Sequence, residues 1–502
     1  MKPNTLYYGD CLEVMQKWDD KSVDLIYLDP PFNSNENYNV TIRRGNGIPA
    51  QARAFSDTWK YEEAAKRVER IKKASGNPLN KVITGLHTIL GDSSTLAYLS
   101  YMGERLVEMR RILKDEGSLY LHCDPTESHY LKILMDAVWH RSNFRNEVIW
   151  HYKGAALTAA TNVFPRKHDI LLFYTKSDRY QFSAPREDTL SETMIKRWGK
   201  YLESDGKTVL YKSIKHESAE ESRSRKRIQK RYGRAPKDND IAFIANPSLV
   251  RSVWDIPEVR NNPKYRESTG VDTQKPLKLL ERIISASSNP EDLVLDPFLG
   301  SGTTAVAAHG LNRQWVGIDV SNILIDLARR RLQEAGAQVP TPYGTPHDFI
   351  AARHLAEKEP LKFESWAITR IPGLFPNDKQ VWDGGVDGYG FLLNAADNHA
   401  SDKVYAQVTG SRTFNQSHFQ KFMNVIRRDA PAIGIYITLD DNSTENARIE
   451  VKGFGELVYG SSSYPRVQIW SIRQFFHDPP IMPHLPDMTN PVTGKPFKPG
   501  LA

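Results

Sequence analysis

The chain has 502 residues, 40% hydrophobic and 25% charged, a soluble globular mixture too long for one ordinary core, so two or three domains are expected. Its two cysteines, Cys11 and Cys123, exclude a disulfide framework and a four-cysteine metal site, and they fit a reduced, cytoplasmic compartment; no metal is expected. No apolar run is long enough to span a bilayer and "MKPNTLYYGD" lacks the regions of a signal peptide, while a net charge of +7 permits a polyanionic partner without requiring one.

Residues 5–32 predict strand, helix, strand: "LYYG", "DCLEVMQKW" and "SVDLIYLDPPF". Residues 33–93 read as polar and irregular, with one charged helix, "YEEAAKRVERIKKA". The helix "LAYLSYMGERLVEMRRIL", the buried strand "GSLYLHCD", the helix "SHYLKILMDAVW" and the strand "HDILLFYTK" follow. Such alternation predicts a parallel α/β sheet with helices on both faces. From about 181 to 268 the pattern breaks into charged, weakly periodic sequence. It resumes with the helix "KPLKLLERIISAS", the strand "DLVLDPF", a glycine turn, "TTAVAAHGL", "RQWVGIDVS" and "NILIDLARRRLQEA". One α/β domain, 1–180 and 269–335, is thus interrupted by an insertion. "QVPTPYGTP" marks a linker at 336–360. A second α/β segment covers 361–476, before a proline-rich tail at 477–502, where the Asp478–Pro480 copy of Asp-Pro-Pro reads as punctuation.

Val294–Ala308, "VLDPFLGSGTTAVAA", is a strand, a turn at Gly300 and Gly302, and a helix. Glycines let the backbone turn sharply and approach a ligand, and a helix N-terminus offers free N–H groups. The next strand ends at Asp319, 17 residues after Gly302, where an acid can take both hydroxyls of a ribose. Thr303, Thr304 and Ala305 follow in place of a third glycine. A nucleoside carrying a carboxylate, such as S-adenosylmethionine, therefore fits better than a dinucleotide. Asp29-Pro30-Pro31-Phe32 closes an earlier strand. "RSRKRIQKRYGRAPK", Arg223–Lys237, holds eight Lys/Arg and no acid, which suits either a solvated helix face or phosphate contacts. His122–Asp124 reads as a buried strand end rather than a metal site. Phe55–Trp59 suits a lid over a ligand or an anchor for the long loop equally well.

In their order along the chain, "YYGDCLEVM", Asp29–Phe32, "TQKP" (Thr273–Pro276) and Asp296–Thr304 resemble the motifs of the beta class of DNA amino-methyltransferases. That class includes the type III modification methylases, and the resemblance covers roughly residues 4–335. It implies a Rossmann-like, S-adenosylmethionine-dependent sheet. Asp29, Pro30, Pro31 and Phe32 would be the catalytic residues. Asp10, Cys11, Thr273 and Lys275 would bind the cofactor, together with Asp296, Phe298, Gly300, Ser301, Gly302, Thr303 and Asp319. A conjugated exocyclic amine is a poor nucleophile. Asp29 and the Pro30 carbonyl would accept its hydrogens, on a backbone stiffened by two prolines, while Phe32 stacks on a flipped base. Neither cysteine has a Pro-Cys context, which argues against carbon-5 chemistry. Asp rather than Ser at position 29 leans toward adenine-N6, with cytosine-N4 as the alternative. The family also places Tyr174 and Lys176 near the target base; a core tyrosine with a surface lysine is the competing reading. Double-stranded DNA is the implied partner, contacted by Arg223, Arg225, Lys226, Arg227, Lys230 and Arg231. A second copy of the chain or a restriction or defence-system partner stays open.

"GGVDGYGFLLNAADNHASDKVYAQVTGSR" resembles restriction-endonuclease-like domains of the Mrr type. Asp387 fits their acid and Gln407 their second position. Thr409 stands where they have lysine, and Lys403 lies six residues upstream. The departure predicts a nuclease-like domain that does not cut, since threonine cannot supply the cation beside an attacking water. A bifunctional restriction enzyme is the alternative.

Overall fold

A computed structural model of the chain describes residues 1–33, 37–42, 50–56, 59–152, 164, 166–259, 267–269, 271, 273–371, 373–377, 386–393, 401–459 and 461–476. The proline-rich tail, Asp478–Pro480 included, lies outside them. So do Asp57 and Thr58 and the side chain of Phe55.

Val23–Leu28, Leu293–Asp296 and Gln314–Asp319 are short and almost wholly buried, as strands covered on both faces must be. They lie inside an eight-stranded sheet of order Thr5–Tyr8, Gln314–Asp319, Leu293–Asp296, Val23–Leu28, Leu113–Cys123, His168–Thr175, Phe144–His151 and Val253–Asp255. Its first five strands run parallel. The next two are antiparallel, so the sheet is mixed rather than parallel throughout. The cause is a strand that periodicity does not reveal, Phe144–His151, whose exposed Asn146 and Glu147 interrupt its apolar pattern. It pairs with His168–Thr175 without the crossover helix that a parallel partner needs.

The helix Ser94–Ile112 packs into the core of this sheet. Ser93 caps it by accepting from Leu96 N at 3.2 Å, and Arg110 and Arg111 sit at its negative end. The described residues between 33 and 93 are more regular than expected. Tyr61–Lys73 is the predicted helix, and Leu79–Leu90 is a second that buries Leu79, Ile83 and Leu86. Asn37–Ile42 and Ala50–Ser56 pair as antiparallel strands.

The expected linker at 336–360 is instead strapped to the first strand. Tyr8 N donates to the Tyr343 carbonyl at 2.7 Å, and the rings of Tyr7 and Tyr343 stack at 5.2 Å. Gly344, at φ +84°, makes this possible, because a Cβ there would stand 2.2 Å from the Tyr8 carbonyl oxygen. Helix Phe349–Lys358, capped by Asp348, then buries Ala352 and Ala356 in the second core. That core belongs to a five-stranded sheet of order Leu374–Pro376, Gly388–Leu393, Ser401–Thr409, Ile433–Thr438 and Val467–Ser471. The first three strands are antiparallel and the last two parallel to the third. Apolar clusters built on Phe363 and Trp366, and on Phe419 and Phe422, cover its faces.

Residues Phe182–Trp254 form a compact unit of their own, narrower than the 181–268 expected. Trp198, Val209, Tyr211, Ile214 and Ile228 supply a small core. No helix among the described residues is long and apolar enough to cross a membrane.

Candidate active site

Parallel strands expose their carboxyl ends along one edge, where open α/β sheets bind ligands. Leu295 pairs in register with Ile26, so the strand ending at Asp296 neighbours the strand that runs into Asp29. The two motifs, remote in sequence, share one cavity of about 340 Å³.

The cavity wall brings together Asp29, Pro30, Pro31 and Phe32 with Cys11, Thr273 and Lys275. Asp296, Phe298, Gly300, Ser301, Thr303 and Asp319 lie on the same wall. Two expected residues stand behind it. Gly302, at φ +82°, is the N-cap of helix Thr303–Gly310 and presses on Ala328. Asp10 caps helix Cys11–Met15 through Leu12 N at 2.8 Å and pairs with buried Arg105. Asp10 thereby shapes the Gly9–Cys11 turn from behind.

Lys275 Nζ lies 2.8 Å from Asp29 Oδ2 and 5.3 Å from the centre of the Phe32 ring. Asp29 Oδ1 is buried and has no hydrogen-bond partner among the described residues. Burial works against the Lys275 ammonium, but Asp29 and Asp169 outweigh it and hold its pKa above the ordinary value. A charged lysine thus fixes one carboxylate oxygen and leaves the other buried without a donor.

Asp296 accepts from Thr304 Oγ1 at 2.6 Å and Phe298 N at 3.1 Å. Asp319 accepts from Gly300 N at 2.9 Å and Ser321 N at 2.8 Å. Burial, opposed by these bonds, still pushes Asp296 up to about 7 and Asp319 to about 6. Arg331 braces the turn by donating to the Ser301 carbonyl at 2.6 Å. Cys11 and Cys123 are buried, and desolvation raises Cys11 to about 12 and Cys123 well above its ordinary range. Neither is a thiolate nucleophile.

The profile described as DNA methylase matches residues 23–330. This chain belongs to the DNA methylase family. The methylase is 30% identical over 250 residues to the type II methyltransferase M.EcaI of Enterobacter cloacae, covering 45% of this chain and 55% of that protein. It is 24% identical over 338 residues to the DNA adenine methyltransferase YhdJ of Escherichia coli strain K12, covering 66% and 83%. It is also 24% identical over 339 residues to the type II methyltransferase M.HinfI of Haemophilus influenzae, covering 66% and 68%.

Several residues of the methylase site are not legible as site residues in the sequence. Tyr27 and Tyr101 line the cavity, and nothing in a core strand or helix pattern distinguishes them. Trp59 lies on the wall while resting 4.7 Å from Tyr101 and 5.5 Å from Tyr98, ring centre to ring centre, so it is both anchor and wall. Tyr174 and Lys176 are off the cavity wall. Their strand runs antiparallel, with Thr175 beside Ser118, so its end lies at the opposite edge from Asp29. Tyr174 is fully buried and donates to Asp136 at 2.6 Å, and Lys176 reaches main-chain carbonyls.

The Asp296 shift has a sign that can be measured. The folded carboxyl holds its proton up to about 7 against an ordinary 3.8, so its neutral form favours the native state fully below 3.8. That contribution is lost as pH rises through about 7. Asp296→Asn keeps the shape without the charge. Its stability relative to the cofactor-free parent should therefore climb between about pH 4 and 7, by on the order of a few kcal/mol, and level off above. Urea denaturation of both proteins across that range checks it, and a flat difference would contradict the buried charge.

Proposed function

We propose that this methylase transfers a methyl group from S-adenosylmethionine to the exocyclic N6 of an adenine flipped out of duplex DNA. The observation that carries it is Asp29, one oxygen held by Lys275 and the other buried and unpartnered beside the shared cavity. An acceptor left bare in a buried site is costly unless a ligand donor fills it. The residues also fit the cofactor: the Gly300–Thr303 turn and Asp319 form adjoining walls of the cavity. When bound, the cofactor supplies an electrophilic methyl group.

Asp29 Oδ1 accepts an amine hydrogen, which favours a pyramidal nitrogen with an available lone pair. The Pro30 carbonyl is the second acceptor, and Phe32 supplies a face on which the base stacks. Asp319 takes the ribose hydroxyls and Asp296 stiffens the turn. Asp29, and the kinship with a protein named as an adenine methyltransferase, support adenine over cytosine.

DNA approach draws on helix Ser218–Tyr232. Glu220 pairs with Arg223 and Arg227, and Glu221 with Arg225, so acids one or two turns earlier offset half of the basic set. Lys226, Lys230 and Arg231 are exposed and have no acidic partner among the described residues. Replacing those three with glutamine should weaken DNA binding and flatten its salt dependence by up to about three charges' worth. Replacing Arg223, Arg225 and Arg227 should change it less. Binding titrations at several salt concentrations decide it, and equal affinities throughout would place the DNA elsewhere.

The second sheet supports a nuclease-like domain that has lost cleavage. The Asp387 carboxylate accepts from the Gln407 amide and from Val408 N, and Thr409 is buried without a charge to offer. Duplex DNA incubated with the protein, labelled S-adenosylmethionine and magnesium should gain N6-methyladenine and stay uncut. Label on cytosine would replace the base assignment. Cleavage lost on Asp387→Ala would make the enzyme bifunctional.

A further inference from the structure

The loop that carries Asp29–Phe32 is tied down at both ends. At its start, Lys275 Nζ holds Asp29 at 2.8 Å. Its far end is Asn33, the residue after Phe32, which the chemistry above leaves unused. Asn33 is buried and has φ +56°, in the left-handed region that asparagine enters more readily than most side chains. Its Nδ2 donates to Glu127 Oε1 at 2.8 Å.

Glu127 is itself buried, a rare place for a glutamate and one that calls for bonded partners. It directly precedes helix Ser128–Trp139, and its main-chain carbonyl accepts from Leu131 N at 2.9 Å. Its Oε1 also accepts from the Thr95 hydroxyl at 3.1 Å. Thr95 stands in the first turn of helix Ser94–Ile112, whose positive end favours a carboxylate beside it. Both helices bury leucines in the core of the large sheet. Asn33 is therefore bonded to a group fixed by two core helices and not by the loop.

We propose that Asn33 and Glu127 are positioning residues for methyl transfer: their bond ties the end of the loop to the core and so fixes the Phe32 ring and the Pro30 carbonyl. Neither residue lines the cavity, so both act through the loop. Only Pro30, Pro31 and Phe32 lie between the two ties, and the prolines leave so short a span little freedom. A hydrogen bond to a carboxylate is of the stronger kind, and burial keeps water from competing for it. Releasing it lets the ring drift from the face that it offers to the base.

The test exchanges donor and acceptor in the full-length protein. Asn33→Asp keeps the size of the side chain and its tolerance of positive φ, but sets two buried acids against each other. It should lower kcat at least about thirtyfold, the scale of a small misplacement at a reacting group, with the Kd for S-adenosylmethionine within about twofold of the parent. Adding Glu127→Gln restores the bond with its roles reversed and should recover at least about fivefold of that loss. A double variant no faster than Asn33→Asp would show that the bond does not carry the effect. Turnover is measured well below each Tm, so a merely structural role would appear as a lowered Tm with parental kcat, and that result also overturns the proposal. If Asn33→Asp does not fold, Asn33→Gly replaces it, since glycine takes positive φ freely and brings no charge. It should cost at least about fivefold in kcat, and parent-like turnover there has the same force. The inference rests on the proposed methyl transfer, and a crystal structure of Asn33→Gly separates the two. The Phe32 ring centre, 6.1 Å from that of His122 in the parent, should move by about 1 Å or more whether or not the protein turns over. A ring still in place rejects the positioning role alone. A moved ring, with a parent that transfers no methyl group, rejects only the methyl-transfer reading.

Discussion

Asp29→Ala folds, binds S-adenosylmethionine and transfers essentially no methyl group. The loss should reach about 10³-fold in kcat, the scale seen when a preorganised polar contact to a reacting group is removed. Asp29 lines the cavity, its Oδ1 is a buried acceptor without a donor, and Lys275 keeps its partner oxygen in place. The turn and Asp319, on neighbouring strand ends, are untouched by the change, so cofactor affinity should stay within a few-fold. Calorimetry of cofactor binding, paired with a radiolabelled methyl-transfer assay on duplex DNA, separates the two quantities. Cofactor affinity that collapses with activity would move Asp29 from the amine to the cofactor. Turnover within tenfold of the parent would mean that another group accepts the amine hydrogens.

Gly302→Val loses both stability and cofactor binding. The backbone there has φ +82°, and an added Cβ would stand 2.6 Å from Ala328 Cβ and 3.0 Å from its Cα. A left-handed conformation costs a β-branched residue about 1–2 kcal/mol, and forcing extra atoms into packed surroundings adds roughly 1–3 kcal/mol. Helix Thr303–Gly310 must shift to relieve the clash, and it carries Thr303 and Thr304 off the cavity wall. A cofactor affinity at least a hundredfold weaker and a lowered Tm are expected. Gly310→Ala is the control, since its Cβ would meet nothing within 4 Å. Calorimetry and thermal melts of the two variants should diverge sharply. Equal behaviour would mean that the turn tolerates a side chain and that its glycines are not needed for the approach.

Most helices and buried strands between Thr5 and Glu334 are legible because each is specified by its own hydrophobic period and its caps. Helix Leu79–Leu90 is not, since Gly85 and the β-branched run Val82-Ile83-Thr84 weaken its helical propensity. Its place is settled by burial instead, with the Leu79 side chain packed on Gly103 of the helix Ser94–Ile112. In the strand Phe144–His151, half-buried Ile149 stands between buried Val148 and Trp150, after exposed Asn146 and Glu147. No clean alternation survives there. The run "QVPTPYGTP" carries proline and glycine, which mark where a chain turns and not whether the turning segment is held. Tyr343 and Gly344 lie against the first strand, so the segment is packed structure rather than slack.

By itself the sequence determined the chemistry available to the methylase: an acid, two prolines and an aromatic ring after one strand, and a glycine turn and an acid around another. Those are local facts, set by residue type and by neighbours a few positions away. Only the tertiary structure decided that Leu295 lies beside Ile26, which brings Asp296 and Asp29 to one cavity from distant parts of the chain. It also decided that Lys275 turns its charge to Asp29, that Asp10 answers to Arg105, and that Glu220 and Glu221 temper the basic helix. The physical reason is the same in each case. Strand order and charge pairing are set by which buried surfaces and which ions meet in space, and residues distant in sequence carry no local mark of that meeting.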